Sequence, residues 1–213
     1  MRYQFLIDTY KTEILKVLSV WSMFQDADLG MRPHVTDARG RSVLEQMIHQ
    51  CASEDTWFRG MLGIDVGSPA LAAVQSRVGF IERYRTDAEA RLGQLALRDD
   101  AWWEEDALFF GSRRSRAWIM VRRIAHTAHH RGQQMAMLRM LNRDVHSNYG
   151  PTADTGGLPK NGAPVIYAYP DAESLVAGER AGGRKSPLPG PGALPATERP
   201  GWTADMVSGS GTV

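Results

Sequence analysis

The sequence predicts an all-α protein: a four-helix bundle followed by an irregular Pro/Gly-rich C-terminal extension. Three observations carry this prediction. Apolar residues recur at helical spacing in four segments before Asp144, the stripe of an amphipathic helix. Capping residues, glycine and proline punctuate the intervals between them. Beyond Asp144 the composition shifts, and nine of the eleven prolines and twelve of the 21 glycines fall in residues 150–213.

The first segment, residues 3–25, places Tyr3, Leu6, Ile7, Tyr10, Ile14, Val17, Leu18, Trp21 and Phe24 at steps of one, three or four, and stops before Gly30 and Pro33. The second opens with Ser42 as N-cap and Glu45 three residues on, the form of a capping box. It runs to about Gly60 with Leu44, Met47, Ile48, Cys51 and Phe58 as its stripe. A third helix is expected from Ser68-Pro69, where proline suits a first turn, to Leu97 through Leu71, Val74, Val78, Ile81, Tyr84, Ala88 and Leu92. The stretch WWEEDALFFGSRRS lacks a helical period and reads as a short hairpin or ordered loop. Ser115 then caps a long fourth helix, Arg116 to Asn142. Short to medium connections between four such helices suit an antiparallel bundle.

The expected division is a bundle over residues 1–145 and an extension over 146–213. Composition by itself would leave the extension disordered. Only APVIYAYP and AESLVAG are suited to a short strand or a helical turn, and the extension is expected to pack on the body or on a partner subunit.

With 43% hydrophobic residues, 23% charged residues and a net charge of +1, the chain suits a soluble globular protein. The near-zero balance speaks against a nucleic-acid or anionic-membrane partner. Arg113, Arg114, Arg116, Arg122 and Arg123 form no single face and read as a solvated helix start. One cysteine, Cys51, rules out an intrachain disulfide framework and points to a reducing compartment. The start MRYQFLIDTYKTE lacks the apolar core of a secretion signal, and no apolar run approaches the ~20 residues of a membrane span. A cytoplasmic location is the expectation.

The fourth helix carries RIAHTAHHRGQQMAML, with three of the six histidines. His126 and His130 stand at i and i+4, so their Cβ atoms lie about 6 Å apart on one face. Ile119, Gln133 and Met137 share that face. Two imidazoles at that spacing can hold one divalent ion, although a short HxxxH pattern also arises without one. Zincin peptidases place their general base directly after the first histidine, where this chain has Thr127. Di-iron carboxylate bundles need Glu-x-x-His pairs, which the chain lacks. Candidates for a third ligand are His34, His49, His129 and His146. His129 is rotated off the shared face, and His49 lies roughly 150° from its own helix's apolar stripe, so periodicity leaves the choice open.

The frame HTAHHRGQ late in the fourth helix resembles the signature of the DinB/YfiT-like superfamily of metal-dependent enzymes. The second-helix stretch SVLEQMIHQCASEDTWF is similar to that family's first ligand segment, in which a histidine is followed five residues later by glutamate, here His49 and Glu54. The resemblance covers residues 1 to about 145, including the order of the helices. It implies an up-down-down-up four-helix bundle, often homodimeric, with His49, His126 and His130 as ligands to a divalent ion (zinc, nickel or iron). It also implies a small-molecule substrate. Some relatives transfer or isomerise with a low-molecular-weight thiol such as bacillithiol, mycothiol or glutathione; others are taken to be hydrolases. The first chemistry is favoured here, and a non-catalytic metal-binding or interaction protein is the rival reading.

Three neutral imidazoles leave positions for water or substrate, as catalytic sites do. Around them, Gln133 is a candidate to orient a ligand imidazole, and Arg131 to pair with a carboxylate. Glu54 is a candidate general base or acceptor for a ligand's N–H. Cys51 reads as a small core residue, and Trp57, Trp102, Trp103 and Trp118 as core, interface or pocket wall.

Overall fold

The computed structural model describes residues 2–194. Four long helices form the body: α1 (Gln4–Met23), α2 (Val43–Gly60), α3 (Arg77–Leu95) and α5 (Arg116–Met140). A single-turn helix α4 (Asp100–Glu104) and an antiparallel hairpin, β1 (Asp106–Phe109) with β2 (Ser112–Ser115), precede α5, and α6 (Ala172–Arg180) belongs to the extension. Helix α1 packs on α5 and α3, and α2 packs on the same two helices. Thus α1 and α2 lie on a diagonal. Each of the four therefore needs two inward-facing stripes, one per neighbour.

Local chemistry sets the boundaries. Ser42 Oγ accepts from the Glu45 amide while Glu45 reaches back to the Ser42 amide, closing the capping box of α2. Ser115 caps α5 through the Trp118 amide. The expected start of the third helix at Ser68-Pro69 is corrected. Ser76 is the cap, its Oγ accepting from the Gly79 amide, and the buried stripe begins at Arg77 and Phe80. Ahead of it the chain turns through left-handed Gly63 and Gly67, which only glycine does without strain. The apolar residues Leu71 and Val74 that imitate a helical period lie in a loop instead, Leu71 packed on the core and Val74 exposed. The carbonyl of Val74 comes so close to Gly79 that a Cβ there would stand 2.2 Å from its oxygen.

The WWEEDALFFGSRRS stretch divides in two. Asp99 caps a helical turn that carries Trp102 and Trp103, and a hairpin follows. Its two turn residues, Phe110 (φ 44°) and Gly111 (φ 85°), both have positive φ, the twist that joins adjacent antiparallel strands. APVIYAYP forms no strand; the Ser147 amide donates to the Ile166 carbonyl there, and the Ile166 amide donates to Ser147 Oγ.

The apolar core runs through Val17, Leu18 and Trp21 of α1, Met47 and Phe58 of α2, Phe80, Ile81 and Tyr84 of α3, and Ile119 and Leu138 of α5. Within it lies a buried polar knot that touches all four helices. Glu54 of α2 accepts hydrogen bonds from Tyr10 of α1 and from Tyr84 (2.7 Å) and Arg91 (3.1 Å) of α3, with Arg123 of α5 at 3.9 Å. Satisfied in this way, the charges are tolerable in the interior.

The described part of the extension is ordered against the body. Helix α6 packs on α1 and α3, burying Leu175 and Val176 beside Ala168 and Tyr169. Glu179, also buried, takes a salt bridge from Arg77 of α3, another from Lys185 (2.9 Å), and the Tyr169 hydroxyl (2.6 Å). That set of tethers explains how a Pro/Gly-rich segment stays in place. Residues 195–213 of the expected extension lie outside the described residues.

Candidate metal centre

Helix α2 shows a second stripe toward α5, at helical spacing: Gln46, His49, Ser53 and Trp57. Cross-contacts fix its register on α5. Gln46 meets Gln133 and His130, Ser53 meets Arg123, and Trp57 meets His126. Gln46, early in α2, meets His130 and Gln133 of α5, whereas Ser53 and Trp57, later in α2, meet the earlier Arg123 and His126, so the two run antiparallel. His49 enters the space between them from the side opposite His126 and His130.

The three histidines converge there. One ligand nitrogen from each lies within 4.8 Å of the other two. Nε2 of His126 and Nε2 of His130 are 3.1 Å apart, and the His49 ring centroid is 4.6 Å from that of His130 and 5.4 Å from that of His126. Nitrogens bound to one ion at 2.0–2.1 Å stand about 3.3 Å from each other in a tetrahedral arrangement, so the observed spacing needs only a small closure.

Nδ1 of His130 faces two amide oxygens, Gln46 Oε1 at 2.9 Å and Gln133 Oε1 at 3.1 Å. Oxygens can only accept, so Nδ1 carries the proton and Nε2 presents its lone pair toward His126. Two neutral imidazoles aimed nitrogen to nitrogen call for a shared proton or a cation between them. The donor set, three imidazoles and no carboxylate, fits a borderline ion such as zinc, nickel or iron(II) and not calcium or magnesium. The residues present therefore fit a divalent transition metal.

Electrostatics keep these rings neutral. Burial, reinforced by the positive charge of Arg123 and by the neighbouring histidines, pushes His126 down to about 3. Burial, with His49, His129 and Arg41 adding to it, pushes His130 down to about 4. His49 is lowered too, by burial first and then by Arg41 and Arg123. At neutral pH all three offer lone pairs and not charges, as metal binding requires.

The centre is half-open. His49 and His126 are partly exposed, whereas His130 is buried. On the His126 side, Trp57 stacks on the imidazole with centroids 5.5 Å apart. Phe109 and Phe110 of the hairpin stand edge-on to Trp57 at 5.1 and 5.9 Å, and Trp118 packs on Phe109. An aromatic wall thus begins at one ligand. Arg123 braces it from beneath, its guanidinium 5.2 Å from the Trp57 ring centroid and bonded to Ser53 and Thr127.

The remaining candidates lie elsewhere. His34 is in an exposed loop beside Thr36, His129 is exposed next to Gln133, and His146 is buried within the extension with Nε2 2.8 Å from the Ser186 carbonyl oxygen. Glu54 sits in the Tyr10–Tyr84–Arg91 knot on the core side of α2 and is not among the converging ligands. Arg131 points at α1, where it pairs with Glu13 and covers the Tyr149 ring at 4.4 Å. Gln133 meets His130 directly. Burial raises the Cys51 thiol far above neutrality, which leaves it a packing residue.

Sequence reasoning missed Gln46 and the hairpin phenylalanines, and the expectation that Arg123 belongs to a solvated helix start is corrected: it is fully buried. Gln46 was within reach, because it precedes His49 by three residues and so shares its face. The hairpin was not, since only tertiary packing lays it on Trp57.

No family model matches the chain, and no curated protein is significantly similar to it. Among solved structures, a DinB-like protein from Bacillus cereus ATCC 10987 is similar at a TM-score of 0.57 and 19% sequence identity, over 66% of this chain and 92% of that one. The fold of this chain is DinB-like.

Proposed function

We propose that this protein is a divalent-metal-dependent enzyme whose ion is held by His49, His126 and His130, with thiol-dependent transfer or isomerisation of a small molecule as its reaction. The observation that carries the reading is a cluster of three neutral imidazoles on the open α2–α5 face, while α6 covers the α1–α3 face. A structural metal site is usually closed by four protein ligands; three ligands with an accessible side suit chemistry. The ion, when bound, would lower the pKa of a thiol or water held on it.

The chain's own residues fill the other roles. Gln46 and Gln133 hold His130 in the tautomer that presents Nε2. Arg123 and Trp57 fix the His126 ring. Trp57, Phe109 and Phe110 offer an apolar wall against which an unsaturated or aromatic electrophile would lie. Thiol chemistry is favoured over hydrolysis because the two glutamates flanking His49 in sequence are both taken: Glu45 by Arg32 and the Ser42 amide, and Glu54 by Tyr10, Tyr84 and Arg91. A water nucleophile would lack a base there, whereas a thiol ionises with less help.

The test is metal content by elemental mass spectrometry on untagged protein purified without added metal, for wild type beside His49→Ala and His130→Ala. About one ion per chain, lost in both variants, is expected. Turnover of a model electrophile with each candidate thiol should then require the ion. No metal after reconstitution with zinc, nickel and iron(II) would move the protein to the non-catalytic reading.

A further inference from the structure

One helical turn from the three histidines, the α2–α5 groove opens into a cavity of about 290 Å³ lined by Arg39, Gly40, Arg41, Gln46, Gln133 and Met137 among others. Gln46 and Gln133 form the partition between this cavity and the centre, since both also meet Nδ1 of His130. The rim loop is built rather than loose. Arg32 donates to the Gly40 carbonyl and to Glu45, both at 2.6 Å, and Arg39 is taken up by Asp37. No carboxylate lines the cavity, and Arg41 has no carboxylate partner among the described residues. Its charge is nonetheless felt at both His49 and His130. The floor, with Met137, Ala136 and Met140, is apolar. A cation over an apolar floor, with two amides beside it, is complementary to the carboxylate end of a small amphiphilic molecule.

We propose that this cavity binds the tail of the thiol co-substrate: Arg41 takes a carboxylate while the other end of the same molecule reaches the three histidines. The inference rests on the metal-centre reading and adds a direction to the groove. The anionic tail lies at the Arg41 end, and the electrophile lies at the Trp57–Phe109 end. The ligand class is thus a carboxylated aliphatic thiol and not a neutral or cationic one.

Two titrations on the full chain separate this inference from its premise. In the first, metal-free protein is titrated with hexanoate and with hexanol, followed by amide chemical shifts. In the second, cobalt-loaded protein is titrated with 6-mercaptohexanoate and with 6-mercaptohexanol, followed by the thiolate-to-cobalt absorption. Wild type is expected to prefer the carboxylate by about tenfold in both. Arg41→Ala should abolish the preference while leaving the alcohol's affinity unchanged, and Arg41→Lys should retain most of it. Equal affinities for hexanoate and hexanol in wild type, or a preference that survives Arg41→Ala, would overturn the inference. A preference confined to the metal-free titration would overturn the link between cavity and centre. Failure to take up cobalt, with the hexanoate preference intact, would overturn the metal reading and leave the cationic cavity standing.

Discussion

Replacing Glu54 by glutamine separates a structural from a catalytic carboxylate. The side chain is fully buried and accepts from Tyr10, Tyr84 and Arg91, with Arg123 at 3.9 Å. Glutamine keeps the shape but removes the charge and turns one acceptor into a donor facing other donors. Arg91, itself buried, would retain only Asp55 at 3.7 Å, and Arg123 would lose its only carboxylate neighbour among the described residues. Breaking a buried ion pair in this way costs about 3–5 kcal/mol. With a urea m-value of about 2 kcal/mol/M, the unfolding midpoint should fall by roughly 1.5–2.5 M. The assay is urea denaturation of metal-free protein followed by circular dichroism, so that metal linkage does not enter. Metal stoichiometry of the folded variant should match wild type. A midpoint within about 0.5 M of wild type, combined with loss of turnover, would refute the structural assignment and return Glu54 to the general-base role.

Three further outcomes follow from the geometry. Substituting both Gln46 and Gln133 by alanine frees Nδ1 of His130 and should weaken metal binding by about 10–100-fold, read by competition against a chromophoric chelator; unchanged affinity would show that the amides do not set the tautomer. Because the folded-state pKa values of His126 and His130 are depressed to about 3 and 4, the unfolded metal-free chain binds more protons than the folded one below about pH 6.5. Metal-free stability should therefore decline as pH falls from about 6.5 toward 4, and the decline should be shallower in His126→Ala; equal slopes by thermal melting would contradict the neutral-imidazole cluster. A Cβ at Gly178 would stand 2.4 Å from Cε1 of Tyr169, so Gly178→Ala should displace that ring from Glu179 and cost about 1–3 kcal/mol. A melting temperature equal to wild type would mean that Tyr169 does not anchor the extension.

The four long helices were legible from the chain alone, because their signals are local. Ser42 with Glu45, Ser115 before Arg116, and the 3–4 spacing from Tyr3 to Phe24 each act within a few residues, which is where capping and amphipathicity operate. His126 and His130 were likewise paired by one helix's period. The same local reading misplaced the start of α3, since Pro69 and the apolar residues after it imitate a helical turn that the loop over the core uses otherwise. It also left four histidines open as the third partner. His49 is brought to the pair because α2 touches two neighbours. Its core stripe, Met47, Cys51, Glu54 and Phe58, faces inward, while Gln46, His49, Ser53 and Trp57 form a second stripe against α5. Periodicity identifies a stripe that is apolar, and this one is polar. Only the partner helix, laid alongside in antiparallel register, gives the histidine its two companions, the amides their shared N–H, and the hairpin its place on Trp57.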